Sequence, residues 1–198
     1  MTTPPQRPDL ARDLTGRARQ ARDHHAKHAH GLLSAFEADL GRHLDQANTQ
    51  ILQRIVRQHG WPGRSLVGEE AAEAALSLAL HAGRAPDVQQ EFLRQLATAV
   101  EQGEAPVRHW AHLLDRCAVN AGDPQVYGTQ YRLSPDGVQM LPVREPEHLD
   151  ARRARAGLPP HAPVQEALRQ RHSRARESAP APCPERGEEP SHLSRSAA

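Results

Sequence analysis

The run Glu69 to Ala82, EEAAEAALSLALHA, limits the fold more than any other stretch of the chain. Past Ala71, alanines and leucines cover most of the circumference of the helix it predicts, and a helix that is apolar nearly all round has to be enclosed by neighbours. Glu69 and Glu70 fall in its first turn, where the helix dipole favours carboxylates, and Ser65 or Gly68 is placed to cap it. His81 stands near its end. The chain therefore reads as helices gathered around this segment.

Those helices are visible on both sides of it. Leu44, Asn48, Ile51, Leu52, Ile55 and Val56 recur at helical spacing and stop at Gln58-His59-Gly60, with glycine as the terminator. Gly60-Trp61-Pro62-Gly63 is a rigid turn whose tryptophan is expected to fold back onto the core. Pro86 suits the first turn of a helix striped by Val88, Phe92, Leu96, Ala99 and Val100 and ended by Gly103. Pro106 to Cys117 carries the stripe Val107, Trp110, Leu113, Leu114 and Cys117.

After the breakers Asn120 to Pro124, a strand is expected over Val126–Leu133. A turn follows at Ser134-Pro135-Asp136-Gly137, and a return strand over Val138–Val143. Alternation would put Tyr127, Thr129, Tyr131 and Leu133 on one face. Gly128 inside such a strand marks a bulge or a close backbone approach. A short basic helix fits Glu145 to Ala156, and another turn or two fits Pro163 to His172. All six aromatics lie between Phe36 and Tyr131. The expected architecture is thus mainly α: a compact domain of about four main helices with one β-hairpin near its C-terminal end, between disordered tails. Residues 1–35 read as a polar, partly disordered or loosely helical lead, 36–160 as the folded domain, and 161–198 as a mostly disordered tail.

Charge and cysteine content narrow the function. The formal net charge is +1, without the concentrated basic face of a nucleic-acid binder, so that class is disfavoured. No apolar run is long enough to span a membrane, and the N-terminus has no secretory signal pattern. Cys117 and Cys183 are poorly placed for a structural disulfide, which leaves a cytoplasmic location.

Several fragments occur together: Gly60-Trp61-Pro62 with Val67-Gly68, Leu80-His81-Ala82, Leu114-Asp115-Arg116, Gln125-x-Tyr127-Gly128-Thr129-Gln130, Asp150-x-Arg152-Arg153 and Gly157-Leu158. In this order over about residues 44–160 the chain resembles a bacterial domain-of-unknown-function family, DUF6624. The Tyr-Gly-Thr-Gln piece is the most specific. The resemblance implies a domain boundary and a set of positions, and no reaction, cofactor or partner. Leu80 and Gly83 depart from the pattern, which often has glutamine and an acidic residue there, so a polar site using those side chains would be thinned here.

His81 is the best single candidate for proton transfer, with Asp115 as a carboxylate able to orient its ring. Against this stands a histidine making one structural hydrogen bond at a helix end. Asp115 lies at the helix end that disfavours its charge, so it needs donors. It and Arg116 form either a functional pair or a latch tying the helix to the hairpin. Gln125, Tyr127, Thr129 and Gln130 offer neutral hydrogen-bonding groups that suit a polar ligand or a docked hairpin equally.

Metal ligands are not expected. His24 and His28 are one turn apart but lack a completing carboxylate or cysteine nearby. His109, His112 and Asp115 spread around their helix, and exposed histidines are the favoured reading of that pair. Gly60 to Gly68 lacks the lysine of a phosphate-binding loop, although the helix start after it suits an anion.

Two functions follow. The first is a module binding a small polar ligand or a partner protein, using Trp61, Gln125, Tyr127, Thr129 and Gln130. The alternative is a small acid-base enzyme with His81, Asp115 and Arg116 as catalytic candidates beside Tyr127. The binding module is preferred, because no nucleophile or complete metal set is visible.

Overall fold

The computed structural model describes residues 4–29, 33–134 and 137–177. Among these, the chain forms eight α-helices and one antiparallel hairpin: α1 Pro8–Ala29, α2 Ala35–His59, α3 Arg64–Val67, α4 Glu69–Leu80, α5 Pro86–Glu101, α6 Val107–Ala121, β1 Tyr131–Ser134, β2 Gly137–Met140, α7 Leu149–Arg155 and α8 His161–Glu177. The mainly α class and the hairpin stand, but the expected count of four main helices is too low. None of the described helices is long and apolar enough to cross a membrane.

The alanine-rich α4 is the centre. It touches α1, α2, α3, α5 and α6, and Ala71, Ala72, Ala74, Ala75, Leu76, Leu78 and Ala79 are all buried. Small side chains let five neighbours approach one axis. Phe92 and Leu96 of α5, Leu52 of α2 and Leu113 of α6 fill the space between them, and Trp61 packs edge-on against Phe92 with centroids 6.4 Å apart.

The additional helices have physical reasons. The N-terminal lead shows almost no apolar stripe in sequence, yet Leu14, Ala18 and Ala21 are buried in the main core. One leucine and two alanines suffice because the surface opposite is itself alanine, so α1 lies close along α4. It also meets α2 closely: a Cβ on the buried Gly41 would run into the His24 imidazole. Only glycine leaves room for that ring. Phe36, by contrast, is 78% exposed and does not join the core.

The hairpin is shorter than the expected strands. Its register pairs Tyr131 with Met140 and Leu133 with Val138. Residues 126–130 are irregular backbone rather than strand, so the expected one-face alignment of Tyr127 and Thr129 with Tyr131 does not arise. The reason is that their amides are claimed by a side chain, as described below. Pro135, Asp136 and Cys183 lie outside the described residues. α8 packs on β2, and the His172 ring is 3.0 Å from the Ser134 carbonyl oxygen.

Candidate functional site

α6 has two working faces. Leu113 and Cys117 enter the main core, and burial pushes the Cys117 thiol up to about 11. Ala111 joins a second cluster with Ala156, Leu158 and Tyr127. Asp115 lies one turn beyond Ala111 on this second face and is fully buried.

The Asp115 carboxylate is saturated by the loop that follows. Oδ1 accepts from the Val126 amide at 2.7 Å and the Tyr127 amide at 3.0 Å. Oδ2 accepts from the Thr129 amide and the Thr129 hydroxyl, both at 3.0 Å. The Tyr127 amide also reaches Oδ2 at 3.2 Å. A carboxylate offers about four lone-pair positions, and these bonds use them. α6 runs on to Ala121, so Asp115 stands inside the helix rather than in its last turn as expected, and the cost of burying its charge is offset by donors that a β-ladder would otherwise have taken.

The carbonyl side of the same loop is held by arginines. Arg153, only 2% exposed, donates from Nη1 to the carbonyls of Tyr127 at 2.7 Å and Gly128 at 3.2 Å. Its Nε donates to Pro159 at 2.7 Å. Arg152 Nε donates to the Val126 carbonyl at 2.9 Å. Gln125, fully buried, accepts from the Gln130 amide at 2.8 Å and donates to the carbonyls of Gln130 and Leu141. Gln130 in turn donates to the Thr129 hydroxyl at 3.0 Å.

At the apex Gly128 has φ +61, and a Cβ there would meet Met140 Sδ at 3.0 Å and Leu149 at 3.3 Å. The close approach anticipated at Gly128 therefore comes from side chains rather than from backbone. Both the positive φ and the lack of space call for glycine.

The expected neighbours of this cluster divide. Asp115, Tyr127, Thr129 and Gln130 are brought together, with Gln125 bracing the loop. Trp61 is a core residue against Phe92. His81 caps the end of α4, and its ring stacks on His25 of α1 with centroids 3.8 Å apart and a 31° tilt. His25 Nε2 is 3.1 Å from Asp45 Oδ2 on α2. Burial above all, with His25 and Arg116 adding to it and Asp45 opposing, lowers His81 to about 4. Arg116 thus faces His81 while Asp115 faces the loop, as successive residues about 100° apart on a helix must. Gly83, one of the two departures from the family pattern, leaves space taken by Asn120: a Cβ there would lie 2.7 Å from its Nδ2.

The structure also builds a cavity that the sequence does not announce. About 240 Å³ of space lies between the starts of α4 and α6, lined by Arg64, Glu69, Glu73, Glu104, Arg108 and His109 among others. Neither Gly68 nor Pro106 supplies a side-chain cap to its helix. Glu104 is occupied by the Ser65 amide and hydroxyl, each at 2.8 Å. His109, expected at the surface, is 5% exposed, and its Nδ1 is buried with no hydrogen-bond partner. Arg152, Arg153, His25, Asp45 and His109 were not singled out in sequence as site residues. The arginines stood in the family-like fragments without a role, and the others are defined by helix packing that spacing does not encode.

Burial, with Arg108 and His112 adding to it, lowers His109 to about 4 from its usual 6.5. A base depressed by folding binds protons more readily in the unfolded chain. Its contribution to stability is complete above pH 6.5 and is lost as pH falls towards 4. Denaturant titrations across that window should show wild-type stability falling with acid, with on the order of 2 kcal/mol of the fall absent in His109→Leu. Equal pH slopes in the two proteins would refute this assignment.

A family model described as a family of unknown function, DUF6624, matches residues 35–172. No curated protein and no solved structure matches the chain. All of α1, including His25, precedes the matched residues.

Proposed function

We propose that this chain, which belongs to the DUF6624 family, is a binding module for a small polar ligand carrying an anionic group, held in the cavity between the starts of α4 and α6. The carrying observation is that His109 lines that cavity and keeps a buried Nδ1 with no hydrogen-bond partner. An orphaned buried polar atom is costly, and a ligand that pairs with it removes the cost. The uncapped helix starts, Arg64 and Arg108 supply the attraction for an anion, against Glu69 and Glu73 in the same lining and with Glu104 held by Ser65. A cavity of about 240 Å³ falls below the range of drug-sized pockets, roughly 300–1,000 Å³, so the ligand is small.

The candidates around Asp115 serve this reading as scaffold. Its oxygens already accept from the loop amides, which leaves no lone-pair position free for a ligand, and His81 pairs with His25 instead. The acid-base enzyme therefore ranks second. A partner protein is less well supported, because the large exposed apolar side chains are split among elements: Phe36 and Leu40 on α2, Val107 on α6 and Leu133 on β1. The proposal places the module in the cytoplasm, where a free buried thiol such as Cys117 is ordinary.

The test is a thermal-shift screen of small carboxylates and phosphates on wild type and His109→Leu. The variant should match or exceed wild type in unliganded melting temperature. It should lose roughly tenfold in affinity for any hit, the worth of about one hydrogen bond. Hits that bind both proteins alike would place the ligand elsewhere.

A further inference from the structure

Three helices meet at one polar spot that neither the loop nor the cavity uses. α1 contributes His25, α2 contributes Asp45, and the end of α4 contributes His81. One ligand atom from each lies within 4.8 Å of both others, and the His25–Asp45 pair is already at 3.1 Å. Zinc bonds of about 2.0–2.2 Å arranged tetrahedrally require ligand atoms roughly 3.3 Å apart. One edge of the triangle has that length. The other two, each within 4.8 Å, need closing by at most roughly 1.5 Å, within reach of side-chain rotation.

We propose that His25, Asp45 and His81 form a binding site for a divalent first-row transition ion of the zinc class. Two imidazoles and one carboxylate suit such an ion rather than calcium or magnesium, which prefer oxygen ligands. Three protein ligands leave one position open, the pattern of sites that bind or activate a further group. Arg116, facing His81, opposes a bare dication, and its buried Nε has no partner. It therefore favours an anionic group, such as hydroxide or a carboxylate, on the open position. The stacked imidazoles separate as the ion draws their nitrogens inward. The ion would also clamp α1, which wholly precedes the family match, to α2 and α4.

The chain has 13 histidines, so the test must separate this site from incidental binding. The full chain, stripped by chelator, is titrated with Co²⁺ and its visible d–d absorption followed, then Zn²⁺ is added in competition. One equivalent of Co²⁺ with the intense bands of four- or five-coordination, displaced by one equivalent of Zn²⁺, is expected. Asp45→Asn and His81→Gln should each weaken binding roughly tenfold or more and lose the rise in melting temperature that Zn²⁺ gives wild type. His28→Gln, an exposed histidine on α1, should change neither.

Asp45→Asn keeps the shape of the side chain, and circular dichroism checks that both ligand variants fold. If either unfolds, the wild-type stoichiometry and band intensity still decide. Failure of wild type to take up one equivalent, ligand variants that bind like wild type, or equal loss in His28→Gln would overturn the site. None of these outcomes bears on the cavity at His109, which lacks these three residues.

Discussion

Asp115→Asn is expected to destabilise the protein by about 3–5 kcal/mol, the range for disrupting a buried charged network. The substitution preserves shape and changes only the hydrogen-bonding pattern. Asparagine brings an NH₂ group to a site where three backbone amides and the Thr129 hydroxyl all require an acceptor. At least one oxygen's worth of donors is then left facing another donor in a fully buried spot. For a domain of this size the loss corresponds to a melting temperature lower by roughly 10 °C. Amide exchange at Val126, Tyr127 and Thr129 should accelerate beyond what global destabilisation explains. If Asp115 were instead a catalytic base, the variant would keep wild-type stability.

Arg153→Met is the complementary experiment on the carbonyl side, with an expected loss of about 2–4 kcal/mol. Methionine retains much of the apolar stem but removes the donors that serve Tyr127, Gly128 and Pro159. Relief from burying a guanidinium offsets part of the loss, which keeps the figure below that for Asp115. Three carbonyls are left to find water, and the small cluster of Ala111, Ala156 and Leu158 beneath them should loosen. Combining both substitutions should cost less than the sum of the two, because each alone frees the same loop. Strict additivity, measured by urea titration, would mean that the two residues do not hold one unit.

How far the sequence disclosed this arrangement depended on the range of the interaction. α2, α4, α5 and α6 carry apolar stripes and local stops, such as Gly60 with φ 72 and Pro86 in the first turn of α5. These are decided within a few residues. α1 was allowed as a loosely helical lead, but its place in the core escaped because Leu14, Ala18 and Ala21 make a weak stripe, enough only against a surface as small-sided as α4. Asp115 drew attention because the helix was expected to end near Cys117, which set its charge against the dipole; the helix runs on to Ala121, and what the carboxylate needs donors for is its burial.

The nature of the compensation was not legible. A strand was expected over Val126–Leu133 from its β-branched and aromatic content, but a fully buried carboxylate outcompetes a ladder partner for those amides, and only Tyr131–Ser134 pairs as strand. Arg153 completes the grip from 26 residues away. His81 was expected beside Asp115, but it meets His25, from the polar lead, and Asp45, which come together only after three helices pack. His109 was read as exposed because its spacing from His112 and Asp115 spreads the three around the helix, whereas it lines the cavity and is 5% exposed.

The division between scaffold and binding site is tested most directly by mapping ligand-induced chemical-shift changes on the ¹⁵N-labelled chain, using the small carboxylates and phosphates of the thermal screen. The account predicts shifts concentrated at Arg64, Glu69, Gly103 to His109 and their neighbours, with Val126 to Gln130 unmoved. Shifts centred on Tyr127 to Gln130, or no specific shift from any compound, would contradict it.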